Sequence, residues 1–162
     1  TGNTANGNGL FGISVESGGN ATVTGNTANG NGLFGISVES GGNATVTGNT
    51  ANGNGIEEWG AIGILVNSGG DATVTGNTVT ENEVGVYIAG FDVKATVNYN
   101  NIFSNTVGLQ NDSGKEVNAQ NNWWGPGGTG GPGEGKVGEE NNGVVNNGVG
   151  STTVFPWSKV KF

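Results

Sequence analysis

The chain has 162 residues, of which 35 are glycine and 26 are asparagine, and its formal net charge is −8. It contains no Cys and no His, which excludes a disulfide framework and a thiolate or imidazole metal site. Calcium stays open through Asp71, Asp92 or Asp112, but the sequence shows no cluster of oxygen ligands, so we expect no metal and no cofactor. The negative charge argues against nucleic-acid binding, which needs a basic surface to displace counterions from phosphates. No apolar run approaches the ~20 residues of a membrane-spanning helix, so no membrane span is expected.

A 23-residue repeat begins at the first residue of the sequence. Residues 1–23 and 24–46 are identical, and looser versions of the same unit begin at 47, 75 and 98. The unit that begins at 47 carries a five-residue insertion. Repeats of this length predict stacked structural units, each of which contacts only its neighbours. We therefore expect a single domain over 1–162, with a C-terminal cap over about 118–162.

Within each unit the apolar residues alternate with other residues. Ile36 and Val38 skip one position, and Ala44 and Val46 do the same. This period is typical of a strand with one buried face. The intervening Asn-Gly and Ser-Gly-Gly segments indicate turns, because Gly and Asn tolerate positive φ. Together these features predict an all-β parallel solenoid of about five to six coils, stacked at ~4.8 Å.

In such a solenoid the equivalent residues of successive coils form ladders. The expected inward apolar ladders are Ile13, Ile36, Ile64, Val86 and Leu109; Val15, Val38, Val66 and Ile88; Val23, Val46, Val74, Val97 and Val117; and Ala5, Ala28, Ala51, Val79 and Ile102. Stacked asparagine amides would hydrogen-bond from coil to coil at a bend and so satisfy buried polar groups. The expected structural ladder is Asn3, Asn26, Asn49, Asn77 and Asn100, and a second column is Asn8, Asn31, Asn54, Asn82 and Asn105.

The repeat and the end of the chain together resemble the right-handed parallel β-helix repeat family, a pectate-lyase-like superfold found in many bacterial and archaeal surface and secreted proteins. Each unit carries a version of G-[IV]-x-[VI] followed by T-V-x-G-N-T, and residues 122–126 (NWWGP) and 154–157 (VFPW) resemble the NWWG…PW terminus of such proteins. The resemblance implies a right-handed single-stranded β-helix. It does not fix the function, because the superfold hosts lyases, epimerases, sugar hydrolases, adhesins and structural rods.

The two ends of the predicted rod differ. The last coil of a solenoid exposes its apolar interior and its strand edges, and we expect Trp123, Trp124, Phe155 and Trp157 to cover them. No comparable cap precedes the first coil, which indicates either a piece of a longer rod or end-to-end self-association through that coil. The identity of the first two units is explained by a recent duplication or by deliberate duplication of a coil in an engineered protein.

Catalytic residues of the resembling enzymes are missing from this chain. The resemblance implies Arg or Lys as the base of lyases, and His, Tyr, Asp and Arg in epimerase-like relatives, but the chain has neither Arg nor His. Lys94 and Lys115 have acidic neighbours in the sequence, which favours surface ion pairing over catalysis. We expect no enzyme, and a polysaccharide lyase is the one enzyme class that stays open.

The insertion in the third unit is the strongest candidate for ligand binding in the sequence. It contains Glu57, Glu58 and Trp59. Insertions in solenoids map to loops, loops carry binding sites, and a Trp beside two carboxylates would stack on a sugar ring. The alternative is a surface loop whose Trp packs on a neighbouring coil.

A second binding candidate is a threonine face. Two Thr residues flank an inward Val in each of the first three units, which predicts an array spaced ~6.6–6.8 Å along the strand and ~4.8 Å between coils. This array resembles the Thr faces of ice-binding β-solenoid proteins, although Thr is also a favoured residue of exposed strands. Its members are Thr22, Thr24, Thr45, Thr47, Thr73 and Thr75.

The sequence thus predicts a non-catalytic structural β-solenoid from an extracellular or cell-surface repeat protein, or an engineered repeat protein with a duplicated coil. The rod would serve as a spacer or as a surface that contacts polysaccharide. The alternatives are a carbohydrate-binding or polysaccharide-lyase-like domain and an ice-binding solenoid.

Overall fold

The computed structural model describes residues 1–55, 60–125, 143–146, 151–153, 158 and 161–162. These residues form fifteen β-strands and no helix. Strands form where apolar residues alternate, and they end at the Gly and Asn clusters, as the period-two pattern predicts. In chain order, the strands are β1 (Phe11–Ser17), β2 (Ala21–Thr24), β3 (Phe34–Ser40), β4 (Ala44–Thr47), β5 (Thr50–Asn52), β6 (Ile62–Ser68), β7 (Ala72–Thr75), β8 (Thr78–Thr80), β9 (Val84–Ala89), β10 (Ala95–Asn98), β11 (Asn101–Phe103), β12 (Val107–Asn111), β13 (Val117–Asn118), β14 (Gly143–Asn146) and β15 (Thr152–Thr153).

Three parallel sheets run along the stack of coils. The first sheet has the order β1-β3-β6-β9-β12-β14, and the second has the order β2-β4-β7-β10-β13-β15. The third sheet contains β5-β8-β11, and isolated parallel bridges from Thr4 to Thr27, Thr27 to Thr50 and Asn101 to Trp123 extend it at both ends. Each strand therefore pairs with the equivalent strand of the next coil, and the parallel β-solenoid predicted from the repeat is confirmed.

The apolar ladders of the first sheet follow the predicted register. Ile13 pairs with Ile36, Ile36 pairs with Ile64, and the ladder continues through Val86 to Leu109. The parallel ladder that starts at Val15 runs to Ile88 in the same way. The members from the second coil onward are buried, so the core is a column of aliphatic side chains along the solenoid axis.

The predicted ladder of the second sheet is wrong at its last member. Val117 pairs with Ala95, not with Val97, so it continues the alanine ladder of the second sheet. Asn118 pairs with Thr96, which places Ala119 after Val97 in the valine ladder. The physical reason is that the register advances by 22 residues here, whereas matching valine to valine takes Val117, which lies two residues before the paired position.

The core changes shape towards the C-terminal end. In the third sheet, the inward ladder begins with small alanines and ends with larger residues, in the order Ala28, Ala51, Val79, Ile102 and Trp124. The inward ladders of the first sheet keep aliphatic residues over the same coils, with Val86 after Ile64 and Ile88 after Val66.

Candidate functional site

Two hydrogen-bonded asparagine ladders are the most regular polar feature of the molecule. In the first ladder, the Asn77 Oδ1 accepts from the backbone N of Asn49 at 2.8 Å and from its Nδ2 at 3.0 Å. The Asn77 Nδ2 then donates to the Asn100 Oδ1 at 2.9 Å and to the Val46 carbonyl at 2.9 Å. The same pattern extends to Asn122, a member that the sequence analysis missed because its coil is irregular.

The second ladder repeats this geometry at the bend between the third and first sheets. Its members are Asn8, Asn31, Asn54, Asn82 and Asn105, with Nδ2 to Oδ1 distances of 2.9, 3.0, 3.1 and 3.0 Å between consecutive amides. From the second coil onward these side chains are buried. Between consecutive amides, the Nδ2 donates to the Oδ1 of the next coil towards the C-terminus, so the amide-to-amide bonds of both ladders run in one direction.

Two further polar ladders escaped the sequence analysis, and they run in the opposite direction. The Asn6 Oδ1 accepts from the Asn29 backbone N at 2.8 Å, and the Asn29 Oδ1 accepts from the backbone N of Asn52 at 2.9 Å. In the other ladder, the Asn20 Oδ1 accepts from the backbone N of Asn43, and the Asn43 Oδ1 accepts from the backbone N of Asp71. Asparagine recurs at the position of Asn6 in three units and at the position of Asn20 in two, and this recurrence in the sequence could have indicated both ladders.

The threonine array lies on the outer face of the second sheet in strict register. Thr22 pairs with Thr45 and Thr45 pairs with Thr73, while the column that starts at Thr24 pairs with Thr47 and then with Thr75. Thr22 and Thr73 are exposed, and the other four are half-buried. In the fourth coil, Asn98 takes the second position, so the complete array covers three coils.

A groove that the sequence analysis did not identify lies at the bend between the first and second sheets. It has a volume of about 760 Å³, and its walls carry the carboxylates of Glu16, Glu39 and Asp92, the amide of Asn67 and the ring of Phe91. Glu16 and Glu39 occupy paired register positions of β1 and β3. The Phe91 side chain is 83% exposed. The groove therefore offers an aromatic face beside hydrogen-bond acceptors.

Lys115, one of the two lysines in the coils, forms a surface ion pair. Lys115 pairs with Asp92 of the preceding coil, with 3.1 Å between Nζ and Oδ1, and both side chains are more than half exposed. Surface pairs of this kind contribute about 0–1 kcal/mol. Lys94 lines a second groove of about 850 Å³ together with Asp71, Lys115 and Glu116.

A polar cluster on the first sheet shifts the pKa of a tyrosine. The Tyr87 hydroxyl donates to the Asp112 Oδ2 at 2.7 Å, and the Gln110 Nε2 donates to the same oxygen at 3.0 Å. Burial disfavours the phenolate, and the Asp112 carboxylate accepts from the neutral phenol and repels the ionised form, which together raise the pKa of Tyr87 to about 12.

We expect the Tyr99→Phe variant, in which Tyr87 is the sole tyrosine, to titrate with a midpoint of about 12. The folded-state pKa lies above the unfolded value of about 10, so the contribution of Tyr87 to stability is present in full below pH ~10 and is lost as pH rises towards 12. Phenolate absorbance in the ultraviolet measures the titration. Adding Asp112→Asn should lower the midpoint, and a midpoint near 10 in the folded single-tyrosine chain would contradict the assignment.

The structure describes only some of the remaining residues that were predicted for ligand binding and for the C-terminal cap. Glu57, Glu58 and Trp59 lie outside the described residues, as do Phe155 and Trp157 of the predicted cap. Trp124 is 4% exposed and joins the apolar core after Ile102, which suits its predicted covering role. End-to-end self-association stays a prediction.

Trp123 lies elsewhere than predicted. Its ring contacts the ring of Phe103 on the outer side of the third sheet, with 5.0 Å between centroids, and the Lys161 ammonium lies 4.8 Å from the Phe103 centroid. The neighbouring Phe162 exchanges two hydrogen bonds of 2.8 Å with the Asn101 side-chain amide. Trp123 thus packs under the C-terminal residues and not over the solenoid interior, because its bridge to Asn101 turns Trp124 inward instead.

The described part of the chain contains no group of three or more His, Cys, Asp or Glu residues placed to hold a metal ion. Over the same residues, no helix is long and apolar enough to cross a membrane.

Comparison with protein-family models gives a match to the right-handed β-helix region over residues 1–124. Comparisons with curated proteins and with solved structures gave no match. The family match covers both asparagine ladders and thirteen of the fifteen described strands, and it agrees with the all-β architecture. The chain therefore belongs to the right-handed β-helix family.

Proposed function

We propose that this chain is a non-catalytic structural β-solenoid, a rod segment of an extracellular or cell-surface repeat protein. The observation that supports this most strongly is the continuity of its coil-to-coil bonding. Three parallel sheets and two buried amide ladders repeat through the stack, so each coil is bound to the next by the same set of contacts. Such a design gives a stiff element whose length is set by the number of coils.

The two identical units support a modular rod. Phe11 pairs with Phe34 and Val23 pairs with Val46, so 1–23 and 24–46 stack with no shift in register. A unit that stacks on its own copy also accepts a further copy, because nearest-neighbour contacts determine the stability of a solenoid. This property suits a spacer, whether the duplication arose naturally or was introduced deliberately.

Insertion of a further copy of 24–46 after residue 46 tests the scaffold proposal. We expect the longer chain to fold, to unfold at a higher urea concentration, and to lengthen by ~4.8 Å per added coil in small-angle X-ray scattering. A matched control carries an insertion of the same composition in scrambled order, and we expect it to lower the unfolding midpoint. Loss of the β-sheet circular dichroism spectrum in the chain with the true copy would contradict a modular rod.

The non-catalytic part of the proposal needs a separate test. Incubation with a panel of acidic and neutral glycans should give neither new reducing ends nor unsaturated products. A polysaccharide lyase would give such products, and their loss in a Lys94→Ala variant would transfer the function to the enzyme alternative. Extracellular or cell-surface placement is tested by protease accessibility of the protein on intact cells of its source.

We propose carbohydrate binding as a second candidate function, supported by the groove between the first and second sheets. An exposed aromatic ring beside carboxylate and amide acceptors is a surface on which a sugar ring would stack while its hydroxyls donate hydrogen bonds. Glycan-array binding that is lost in Phe91→Ala but kept in Tyr99→Ala, which removes another exposed aromatic, would support it. Absence of binding to the array would remove this candidate.

We propose ice binding as a third candidate, supported by the register of the threonine array. Its two columns are aligned over three coils, which gives repeats of ~4.8 Å and ~6.6–6.8 Å in two directions. Thermal hysteresis and faceted ice crystals that disappear in Thr45→Lys would support ice binding. Ordinary freezing without hysteresis would eliminate it.

A further inference from the structure

The unit that begins at 98 departs from the repeat at three positions on or beside the outer face of the third sheet. Asn101 pairs with Thr78, and every earlier unit carries Thr at this position. Phe103 pairs with Thr80, and the earlier units carry Asn or Thr there. Tyr99 occupies the position at which every earlier unit has Gly. The three replacements put an aromatic residue on either side of an amide.

The tyrosine stands at a position where the backbone disfavours a side chain. Tyr99 has a φ of 59°, in the left-handed region that glycine adopts freely and bulky residues avoid. Gly76, at the same position one coil earlier, has a φ of 67°. A bulky residue held in this strained conformation points to a function of its side chain. The Tyr99 ring is 51% exposed and packs edge-on against the Phe162 ring, with 5.8 Å between centroids.

The Asn101 amide holds the backbone of a single residue of the C-terminal segment. Its Oδ1 accepts from the Phe162 nitrogen, and its Nδ2 donates to the Phe162 carbonyl, both at 2.8 Å. Two residues of neighbouring strands exchange the same two bonds in a hydrogen-bonded pair, so the amide recognises an extended backbone. Asn101 is 4% exposed. The threonine of the earlier units presents one polar atom where this amide presents two.

Aromatic rings hold the residue before the clamped one. The Lys161 Nζ lies 4.8 Å from the Phe103 centroid and 5.6 Å from the Trp123 centroid, within the range of a cation–π contact. The two rings pack against each other with 5.0 Å between centroids. The Ser158 nitrogen donates to the Asn122 carbonyl at 2.8 Å, so the segment also contacts the coil after the one that carries Phe103. Backbone, cation and ring are therefore each met by a matching group.

We propose that Tyr99, Asn101, Phe103 and Trp123 form a peptide-binding site for an extended segment in which Lys precedes an aromatic residue. The chain's own segment 158–162 occupies this site in cis as a strap. The site lies on the third sheet, apart from the groove beside Phe91 and from the threonine array, and its role goes beyond that of a rod. Because β14 and β15 extend the first and second sheets, the strap gives the part of the chain after 125 a contact with the third sheet as well.

Nuclear magnetic resonance relaxation of the full chain tests the strap. We expect the Phe162 amide to be as rigid as the strands, with an order parameter of about 0.85, and to fall below ~0.6 in Asn101→Thr. This variant restores the residue of the earlier units, so the circular dichroism spectrum of the solenoid should be kept. Asn98→Thr is the matched control, because it makes the same exchange in the same coil at a residue paired with Thr75 of the second sheet. It should leave Phe162 rigid.

Binding in trans distinguishes a peptide site from ordinary packing. A strap in cis competes at an effective concentration of about millimolar, so the site is first emptied in the full chain by Lys161→Gly with Phe162→Gly. An end-blocked peptide of sequence SKVKF should then shift the Trp123 indole resonance saturably. The peptide SKVGG should not, nor should SKVKF when Asn101→Thr is added. A Phe162 that stays rigid in Asn101→Thr, or an emptied site that does not respond to SKVKF, would overturn the proposal.

Discussion

Replacing Asn77 with Ala is expected to lower the free energy of unfolding by about 3–5 kcal/mol, because the change leaves several buried polar groups without partners. Asn77 is 0% exposed. Its loss removes the side-chain acceptor of the Asn49 backbone N, one of the acceptors of the Asn49 Nδ2, and the Nδ2 donor to the Val46 carbonyl. Water cannot reach these groups in the folded state, so their desolvation cost is not recovered.

Urea unfolding followed by circular dichroism measures this effect. Asn3→Ala is the matched control, because Asn3 has the same position in the first coil but is exposed, and its side chain donates to the Asn26 Oδ1. We expect its effect to be about 0.5–1.5 kcal/mol. Similar midpoints for the Asn77→Ala and Asn3→Ala variants would show that the buried ladder does not stabilise the solenoid.

The second large effect is expected for Gly32→Ala. A Cβ built on Gly32 would overlap the carbonyl of Gly9 one coil earlier. Because the overlapped atoms belong to the backbone, a change of side-chain rotamer cannot remove the overlap. The Gly32 nitrogen is also bonded to the Asn8 carbonyl at 2.8 Å, so a shift of the bend would break this bond. We expect a loss of at least ~3 kcal/mol, at the upper end of overpacking effects.

Gly9→Ala is the control for this prediction, because Gly9 has the same local sequence and no atom within 4 Å of the added Cβ. We expect Gly9→Ala to change the stability by less than ~0.5 kcal/mol, as is usual for surface substitutions. Thermal unfolding of the two variants compares them directly. A Gly32→Ala chain as stable as Gly9→Ala would mean that the coils do not approach each other as closely as the structure shows.

The sequence predicts the solenoid well where the repeat is strict. From Ile13 to Leu109 the register follows from aligning the units, because an aliphatic residue recurs at this position and a slip of one residue would turn apolar side chains to solvent. The alignment fails after 98, where residue type suggests Val117 opposite Val97 but Val117 pairs with Ala95. The prediction that both Trp123 and Trp124 cover the interior was wrong for Trp123, because two adjacent residues on a strand face opposite sides.

The candidate binding surfaces were harder to predict. The threonine array follows from a local pattern, and its register is the one expected. The groove beside Phe91 joins residues of four coils at a bend, where no strand period indicates which side chains face each other. The opposite direction of the Asn6 and Asn20 ladders also depends on bend geometry, which composition does not encode.

Side-chain hydrogen exchange of the ladder amides tests the central claim most directly, because the claim is that stacked asparagine amides bind one coil to the next. Nuclear magnetic resonance with assigned Asn Nδ2 protons gives one exchange rate per rung. We predict that the protons of Asn49, Asn77 and Asn100 exchange as slowly as the core backbone amides, and that those of exposed Asn3 exchange far faster. Exchange of the buried rungs at the rate of free amides would contradict the account.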